Sequence, residues 1–340
     1  MTLEEAINQG YINQNKHPEL PLYIYNYTQE AQSKYIWNDV TINNRGRITD
    51  LEGNTLYAGF TKFFNYNEEQ AYKLTSEPLK VYNKLDGSLG ILYWYEDTPY
   101  IATRGSFSSE QAIYATNVLL PQYIDYIKQF DKSNTYLFEI IYPDNQIVVD
   151  YGEQERLVLL ACLSDEGELN IDNIDYPDKI EEVNYTLEEM LAMDVENQEG
   201  FVIVQNGNRV KVKFDNYVRL HRILTGVTKG TIYKGMMYDM SPEQYKEWEK
   251  YSYDKMMEAA PDEAYDFIEE TSKEIKQNFA DLIELVDKVT KETLAIPEGK
   301  ELAMFLKQNH PKIMGFVIQN RMGKLRQENL LKHSYESNNT

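Results

Sequence analysis

A lysine followed two positions later by Asp-Gly, Lys84-Leu85-Asp86-Gly87, stands just ahead of the apolar run from Leu89 to Tyr95. The pattern places an amine at a strand end, beside an acid and a tight turn, which is what a lysine nucleophile requires. A free lysine amine has a pKa of about 10.4, so well under ~0.1 % of it is neutral at pH 7. Attack on phosphorus therefore needs that pKa drawn down by desolvation or by neighbouring cations. Gly87 lets the backbone approach a ligand closely, and Asp86 can orient the amine or a ribose hydroxyl. A Lys-x-Asp-Gly turn also suits a plain hairpin, and the residues downstream decide between the two.

Phe138-Glu139-Ile140 sets a carboxylate in the middle of an apolar strand, where an unpaired charge is costly. Glu199 stands at the mouth of another, Gly200-Phe201-Val202-Ile203, and Lys211-Val212-Lys213 places two ammonium groups on one strand face, with Val210, Val212 and Phe214 on the other. Between these strands Asn206-Gly207 favours the turn that matches strand twist. With a loop of those two residues alone, Gly200 faces Lys213 and Val202 faces Lys211. That leaves a gap beside two cations, room for a phosphate or a sugar. The same register turns Glu199 to the wrong face. Either its strand starts irregularly, or Asn208 joins a three-residue loop and shifts the pairing by one; both stay open. Taken singly, Glu139 reads as a structural acid, the two lysines as a solvated strand face, and Arg45 and Lys62 as surface charges.

The elements that must carry these residues follow from periodicity. Residues 1–16 are expected to form a short helix, with strands at 22–27, 34–42, 45–48 and 56–60, and a hairpin at 89–96 and 100–104. A helix starts at Ser108-Ser109-Glu110-Gln111 and is interrupted or restarted at Pro121. Strands follow at 135–142, 146–151 and 156–163, then an acidic surface connection at 164–184 and a short helix opening at Thr186. Beyond 216 the pattern turns helical, with apolar residues three and four apart over 240–259, 262–289 and 301–331. The expected architecture is α+β, antiparallel sheets flanked by helices over residues 1–229, followed by an all-α domain over 230–340.

The 340 residues carry a formal charge of −21, so a polyanion must be met by a local basic patch. Arg209, Lys211, Lys213, Arg219, Arg222 and Lys229 form one, while Asp and Glu concentrate in 164–199 and 239–302. The single cysteine, Cys162, excludes an internal disulfide and reads as a buried thiol of a reducing compartment. His17, His221, His310 and His333 are scattered without cysteines beside them, which argues against zinc. No run is long and apolar enough to cross a bilayer and no basic leader opens the chain, so a cytoplasmic protein without membrane partners is expected.

The order Lys84-Leu85-Asp86-Gly87, Phe138-Glu139, Glu199-Gly200-Phe201-Val202-Ile203 and Lys211-Val212-Lys213 resembles the covalent nucleotidyltransferase motifs of ATP-dependent polynucleotide ligases and mRNA capping enzymes. Further segments narrow the resemblance. Arg45-Gly46, Thr61-Lys62-Phe63-Phe64-Asn65, Lys84 through Ser88, Arg104-Gly105-Ser106 with Ser109-Glu110-Gln111-Ala112, and Lys213 through Tyr217-Val218 to Leu220-His221 are similar to the phage RNA ligase 1 family, the tRNA-repair ligases of T-even phages. The likeness runs from about residue 20 to 225. It implies a nucleotidyltransferase domain of the ATP-grasp-like ligase type, and beyond 230 a helical domain of the kind that family carries.

By that resemblance Lys84 is the nucleophile that takes AMP from ATP, passes it to an RNA 5′-phosphate, and leaves a 3′-hydroxyl to displace it. Lys211 and Lys213 would sit on the α-phosphate, with Lys213 also lowering the pKa of Lys84, while Arg45 and Lys62 neutralise the departing β- and γ-phosphates. Asp86 and Glu139 would serve the nucleotide, Glu139 through the ribose. Glu199 would hold a magnesium ion or its water shell, manganese being an alternative. Val202 would pack on adenine with Tyr25 a further contributor, and Arg104 and Tyr217 would serve the RNA-dependent steps. Two positions depart from the T-even pattern: Arg104 replaces a lysine, keeping charge with a different geometry, and Ala102 replaces a second lysine. The implied partner is single-stranded RNA or a cleaved tRNA anticodon loop, handled by a monomer that opens and closes around it. A DNA ligase or capping-type enzyme is the alternative within the class, and a non-catalytic nucleic-acid-binding protein on the same scaffold the alternative outside it. The enzyme reading is preferred because every motif lysine and carboxylate is present.

Overall fold

Stretches rich in β-branched and aromatic residues become strands where their backbone donors meet a neighbouring strand, and fail to where a side chain takes those donors first. The computed structural model describes residues 1–75, 79–224, 226–260 and 264–337. Contacts divide the chain into two units, Met1–Leu224 and Thr225–Thr340.

In chain order the strands of the first unit are β1 (Ile12–Lys16), β2 (Tyr23–Tyr27), β3 (Arg45–Thr49), β4 (Thr55–Tyr57), β5 (Phe64–Asn65), β6 (Lys80–Lys84) and β7 (Ser88–Tyr95). They continue as β8 (Thr98–Thr103), β9 (Thr135–Ile141), β10 (Arg156–Ser164), β11 (Gly167–Leu169), β12 (Glu182–Val183), β13 (Gly200–Gln205) and β14 (Asn208–Lys213). Three sheets result: β1-β2-β3-β4, then β11-β10-β9-β7-β8, then β12-β6-β13-β14-β5. Pairing is antiparallel except between β14 and the two-residue β5, which run parallel. This is the α+β arrangement expected from the sequence.

The β13–β14 hairpin turns on Asn206 and Gly207, both left-handed at φ +51° and +76°. That two-residue loop pairs Gly200 with Lys213 and Val202 with Lys211.

Four expected elements of this unit come out differently. The helix expected over 1–16 stops at Asn8, Gly10 turns the chain at φ +75°, and residues 12–16 pair with β2 as β1. Residues 34–42 do not form a strand, because Asn38 accepts from the N–H groups of Val40 and Thr41 and caps a helix over Asp39–Asn43. The stretch 146–151 has the composition of a strand, yet the N–H groups of Val148 and Val149 donate to the Asp86 carboxylate and not to a ladder. The acidic connection 164–184 contributes to the core, with Tyr176 buried and its hydroxyl donating to the Leu157 carbonyl at 2.6 Å.

A small core joins Ala6, Ile12 and Tyr25, and two larger ones result within this unit. One gathers around β7, β9 and β10 with the helical stretch after Ser109, and includes Ile91, Phe138, Leu159 and the fully buried Cys162. The other lies on the sheet of β6, β13 and β14, where Val81, Phe201, Ile203, Val212 and Phe214 pack with Val149 and Tyr217.

The second unit is helical throughout its described elements: Lys229–Met240, Tyr253–Ala259, Tyr265–Glu292, Lys300–Asn309, Met314–Arg321 and Gln327–Ser337, with a 3₁₀ turn at Lys246–Tyr251. The 28-residue helix serves two cores, presenting Ile268 and Ile275 to one and Val286 and Val289 to the other. The periodic stretch 301–331 is broken after Asn309, where Pro311 cannot continue a helix, and again at Gly323, which takes φ +65°. No helix among the described residues is long and apolar enough to cross a membrane.

Candidate active site

β6 ends at Lys84 in one sheet and β7 begins at Ser88 in another, so Leu85-Asp86-Gly87 is the crossing between them. Asp86 holds that crossing. Its side chain is buried; Oδ1 accepts the Tyr217 hydroxyl at 2.7 Å, and Oδ2 accepts the N–H groups of Val148 and Val149, each at 2.8 Å. Its own N–H donates to the Tyr151 hydroxyl at 2.9 Å. Gly87 is required by proximity: an added Cβ would lie 2.5 Å from the Ile140 carbonyl oxygen and 3.2 Å from Oε1 of Glu139.

The Lys84 ammonium donates to Oε2 of Glu199 at 2.8 Å, and Lys213 Nζ lies 2.7 Å from Oε1. Glu199 is only 2 % exposed. Burial works against its charge, but Lys213 and Lys84 outweigh it and hold the carboxyl below its ordinary range. Of the two ways sequence allowed Glu199 to reach these lysines, the irregular strand start is the one realised. Gly200 takes φ +142° while pairing with Lys213 on one side and Lys84 on the other, and the kink turns the preceding carboxylate inward. A Cβ on Gly200 would lie 2.0 Å from the Val212 carbonyl oxygen. Gly200→Ala is therefore expected to cost roughly 2–4 kcal/mol, from the forbidden backbone region plus the clash. Urea unfolding measures it, and a midpoint equal to wild type would contradict the strain.

Glu139, on β9 between β7 and β10, has a different environment. Burial pushes its carboxyl up to about 8; Glu199 and Asp86 add to the shift, while Lys84 and the Gly87 N–H oppose it. The folded protein thus keeps a proton that the unfolded chain releases near its ordinary value of 4.5. The stability this contributes is full below that value and is lost as pH rises toward about 8. Glu139→Gln, which cannot ionise, should flatten that decline; a variant whose stability falls as steeply as wild type over the same window would assign the loss to another group.

Lys84 and Glu139 face a cavity of about 560 Å³. Its lining includes Tyr82 of β6, Val202 and Val204 of β13, Leu89 of β7 and Leu160 of β10, together with Arg45, Phe60, Phe63 and Arg104. Arg45 lies 6.0 Å from the centre of the Phe63 ring. Arg104 donates to the Tyr27 hydroxyl at 3.3 Å and lies 5.3 Å from the centre of that ring. Chemically, this is a primary amine on the wall of a half-apolar cavity, with guanidinium groups around it and a second ammonium sharing its carboxylate.

Of the residues singled out from sequence, Lys84, Arg45, Glu139, Arg104 and Val202 line the cavity, and Glu199 and Lys213 join it through Lys84. Lys211 is buried, its ammonium 5.9 Å from the centre of the Phe63 ring. The others stand apart. Asp86 and Tyr217 lie behind the turn, Tyr217 with its ring 5.1 Å from Lys213 Nζ. Lys62 sits among the rings of Tyr27, Trp37 and Phe64 at 5.3, 4.8 and 5.3 Å, lining a neighbouring trough. Tyr25 is buried elsewhere, its hydroxyl accepting from Gln14 at 2.6 Å. Within the basic patch, Lys229 belongs to the second unit, where it pairs with Glu274 at 2.9 Å.

Sequence reasoning missed several lining residues. Tyr82 was readable, being two positions before Lys84 on the same strand face. Leu160 was not: it is the extra residue of a bulge in β10 between Leu159 and Ala161, and bulges re-aim side chains without a sequence signature. Arg209 was seen only as part of a patch; it lines the cavity, pairs with Glu168 at 2.6 Å and lies 4.2 Å from the centre of the Phe60 ring. No group of three or more His, Cys, Asp or Glu side chains among the described residues is placed to hold a metal ion.

Residues 43–172 match the protein family described as RNA ligase. By sequence the chain is similar to a candidate bifunctional polynucleotide kinase/RNA ligase of Autographa californica nuclear polyhedrosis virus, 26 % identical over 240 residues, covering 61 % of this chain and 34 % of that protein. It is also similar to an RNA ligase of Rhodothermus phage RM378, 24 % identical over 311 residues, covering 67 % and 69 %. The chain thus spans about a third of the length of the viral relative. Among solved structures, a Naegleria gruberi RNA ligase variant with ATP and Mn aligns at a TM-score of 0.35 and 20 % identity over 42 % of this chain and 51 % of that one. A candidate ATP-dependent DNA ligase from Aquifex aeolicus aligns at 0.43 and 16 % over 83 % and 79 %.

Proposed function

We propose that this chain, similar to the RNA-ligase family over residues 43–172, is an ATP-dependent RNA ligase working through an adenylate carried on Lys84. The observation that carries the reading is the Lys84 amine on the cavity wall, sharing Glu199 with Lys213.

The cavity suits a nucleotide. Val202, Val204, Leu160 and Tyr82 offer apolar faces to a base, Glu139 lies where a ribose hydroxyl can reach it, and Arg45 and Arg104 supply charge for phosphates. Protonated at neutral pH, Glu139 can donate as well as accept a hydrogen bond to that hydroxyl. Displacement at phosphorus calls for spread positive charge around the reacting group more than for a strong base.

Magnesium fits this site as an ion arriving with the triphosphate, since it is held through one or two carboxylates plus phosphates and water. Glu199 is the carboxylate that would hold it, and the ion's chemistry there is neutralising phosphate charge; manganese meets the same donors. Both Glu199 oxygens carry ammonium groups, Lys84 on one and Lys213 on the other. Lys213, on the other oxygen of the same carboxylate, is the charge nearest to the attacking amine's partner.

In the proposed sequence Lys84 Nζ bonds to the α-phosphorus as pyrophosphate departs. An RNA 5′-phosphate then takes the adenylyl group and frees Lys84, and a 3′-hydroxyl displaces AMP to seal the strand. Lys62 would meet the outgoing phosphates, Lys211 the α-phosphate, and Arg104 the RNA-dependent steps. Tyr217 would act through Asp86, the residue it holds. The substrate proposed is single-stranded RNA, including a cleaved anticodon loop, handled by a monomer in the cytoplasm of the host if a phage encodes it.

The test is incubation with α-labelled ATP and magnesium or manganese, followed by 5′-phosphorylated single-stranded RNA. Acid-stable label on the protein, discharged by RNA into a longer or circular product, is expected. Absence of label with either ion would overturn the reading.

A further inference from the structure

Lys84 and Glu199 meet at 2.8 Å although 115 positions separate them in the chain. The β6–β13 ladder does not by itself set that distance. It ends at the Gly200–Lys84 pair, Gly200 is kinked at φ +142°, and Glu199 lies just beyond.

The segment 148–151 runs past both ends of the contact. The N–H groups of Val148 and Val149 donate to Asp86, two residues after the nucleophile, each at 2.8 Å. The next N–H along, that of Asp150, donates to Oδ1 of Asn197, two residues before Glu199, at 2.7 Å. Asn197 Nδ2 returns a bond to the Asp150 carbonyl at 3.0 Å, so side chain and backbone are joined in both directions. Asn197 stands at φ +55°, a left-handed conformation that asparagine tolerates better than other residues with a side chain. Three consecutive amides of one segment are therefore caught by residues flanking the two members of the ion pair. The Asn197 loop is anchored elsewhere by Asp194, which accepts the Asn216 N–H at 2.9 Å, and by the Glu199 carbonyl, which accepts the Phe214 N–H at 3.0 Å. Asn197 is what ties it to the segment that also holds the Lys84 turn.

We propose that Asn197 is a positioning residue for adenylyl transfer, fixing Glu199 against Lys84 through the 148–150 backbone. The inference rests on the ligase reading above. Asn197 touches neither the cavity nor a reacting atom; it acts through Glu199, whose placement relative to the amine governs the rate. Misplacing a reacting group by about 1 Å can cost up to ~10²-fold, with substrate affinity largely unaffected when the binding walls stay in place.

Asn197→Gly removes both side-chain bonds while still allowing the positive φ. Asn197→Asp keeps the acceptor for the Asp150 N–H and loses only the return donor. Single-turnover adenylylation is measured over a range of ATP concentrations, with thermal unfolding recorded for each protein. In Asn197→Gly the rate at saturating ATP is expected to fall about tenfold while the half-saturating ATP concentration stays within about twofold. Asn197→Asp should recover most of that rate, with both proteins folded at the assay temperature. A wild type that takes label and an Asn197→Gly variant matching its maximal rate would overturn the inference alone. So would a loss shared between rate and half-saturation that Asn197→Asp does not relieve, which marks a general structural defect. A wild type that takes no label sinks the ligase reading and this inference with it. Should Asn197→Gly not fold, Asn197→Asp is read against wild type alone: a maximal rate about tenfold lower overturns the inference, and one near the wild-type rate upholds it.

Discussion

Lys84→Ala is expected to take up no acid-stable adenylate from ATP and to seal no RNA, yet to unfold within about 1–2 kcal/mol of wild type. The two halves of that result have separate physical origins. Activity is lost because no other amine on the cavity wall stands in its place, and a covalent route without its nucleophile has no first step. The fold survives because Glu199 keeps Lys213 at 2.7 Å. Stripping a buried carboxylate of every partner costs about 3–5 kcal/mol, whereas removing one of two leaves the charge compensated. Lys84→Arg sharpens the test. A guanidinium can replace the ammonium beside Glu199 but does not deprotonate in a protein, so charge is retained and label should still be absent. Label on Lys84→Arg comparable to wild type would place the nucleophile elsewhere. Circular dichroism and urea unfolding of both variants separate loss of chemistry from loss of fold.

Asp86→Ala has the opposite character, with stability as its principal loss. Three donors converge on this buried carboxylate: the Tyr217 hydroxyl and the N–H groups of Val148 and Val149. Each donor left without a partner in a buried site costs about 1–3 kcal/mol, so the sum over three is roughly 3–9 kcal/mol. Whole domains have only about 5–15 kcal/mol to lose, and the variant should be partly unfolded at moderate temperature. Asp86→Asn keeps one acceptor oxygen and should lose about half as much. Chemical denaturation of the two variants provides the comparison. An Asp86→Ala midpoint at the wild-type value would show that water replaces the carboxylate at no cost, contrary to its burial.

The sequence was most readable where local chemistry and long-range pairing agree. Asn206-Gly207 fixes its hairpin because both residues accept positive φ, and the register of Lys211 and Lys213 follows directly. Lys84 and Glu139, singled out because an amine and a carboxylate set in an apolar strand stand out from single surface charges, line one cavity in the fold. What could not be read depends on donors and acceptors far apart in the chain. Residues 146–151 look like a strand by composition, and only the presence of Asp86 across the fold explains why their amides leave the ladder. Glu199 reaches the lysines through one unusual backbone angle at Gly200, which glycine permits but does not dictate. Residues 34–42 misled for a local reason: Trp37 and the β-branched Val40, Thr41 and Ile42 suggest a strand, but Asn38 supplies a helix cap. Asp86 itself was chosen from sequence as a ligand-facing acid; in the fold its carboxylate is filled by protein donors.

Cys162 offers a direct way to watch this unit open. It is the only cysteine of the chain, fully buried on β10 opposite Tyr136 of β9, and burial pushes its thiol up to about 11. A thiol reagent needs both access and the thiolate, so the native protein should resist modification until the strands part. The rate of modification then counts openings of the sheet that also carries Glu139, in the manner of an exchange experiment with one site. Comparing that rate with and without ATP would show whether the proposed nucleotide slows the opening of this sheet, using a probe already present in the native chain.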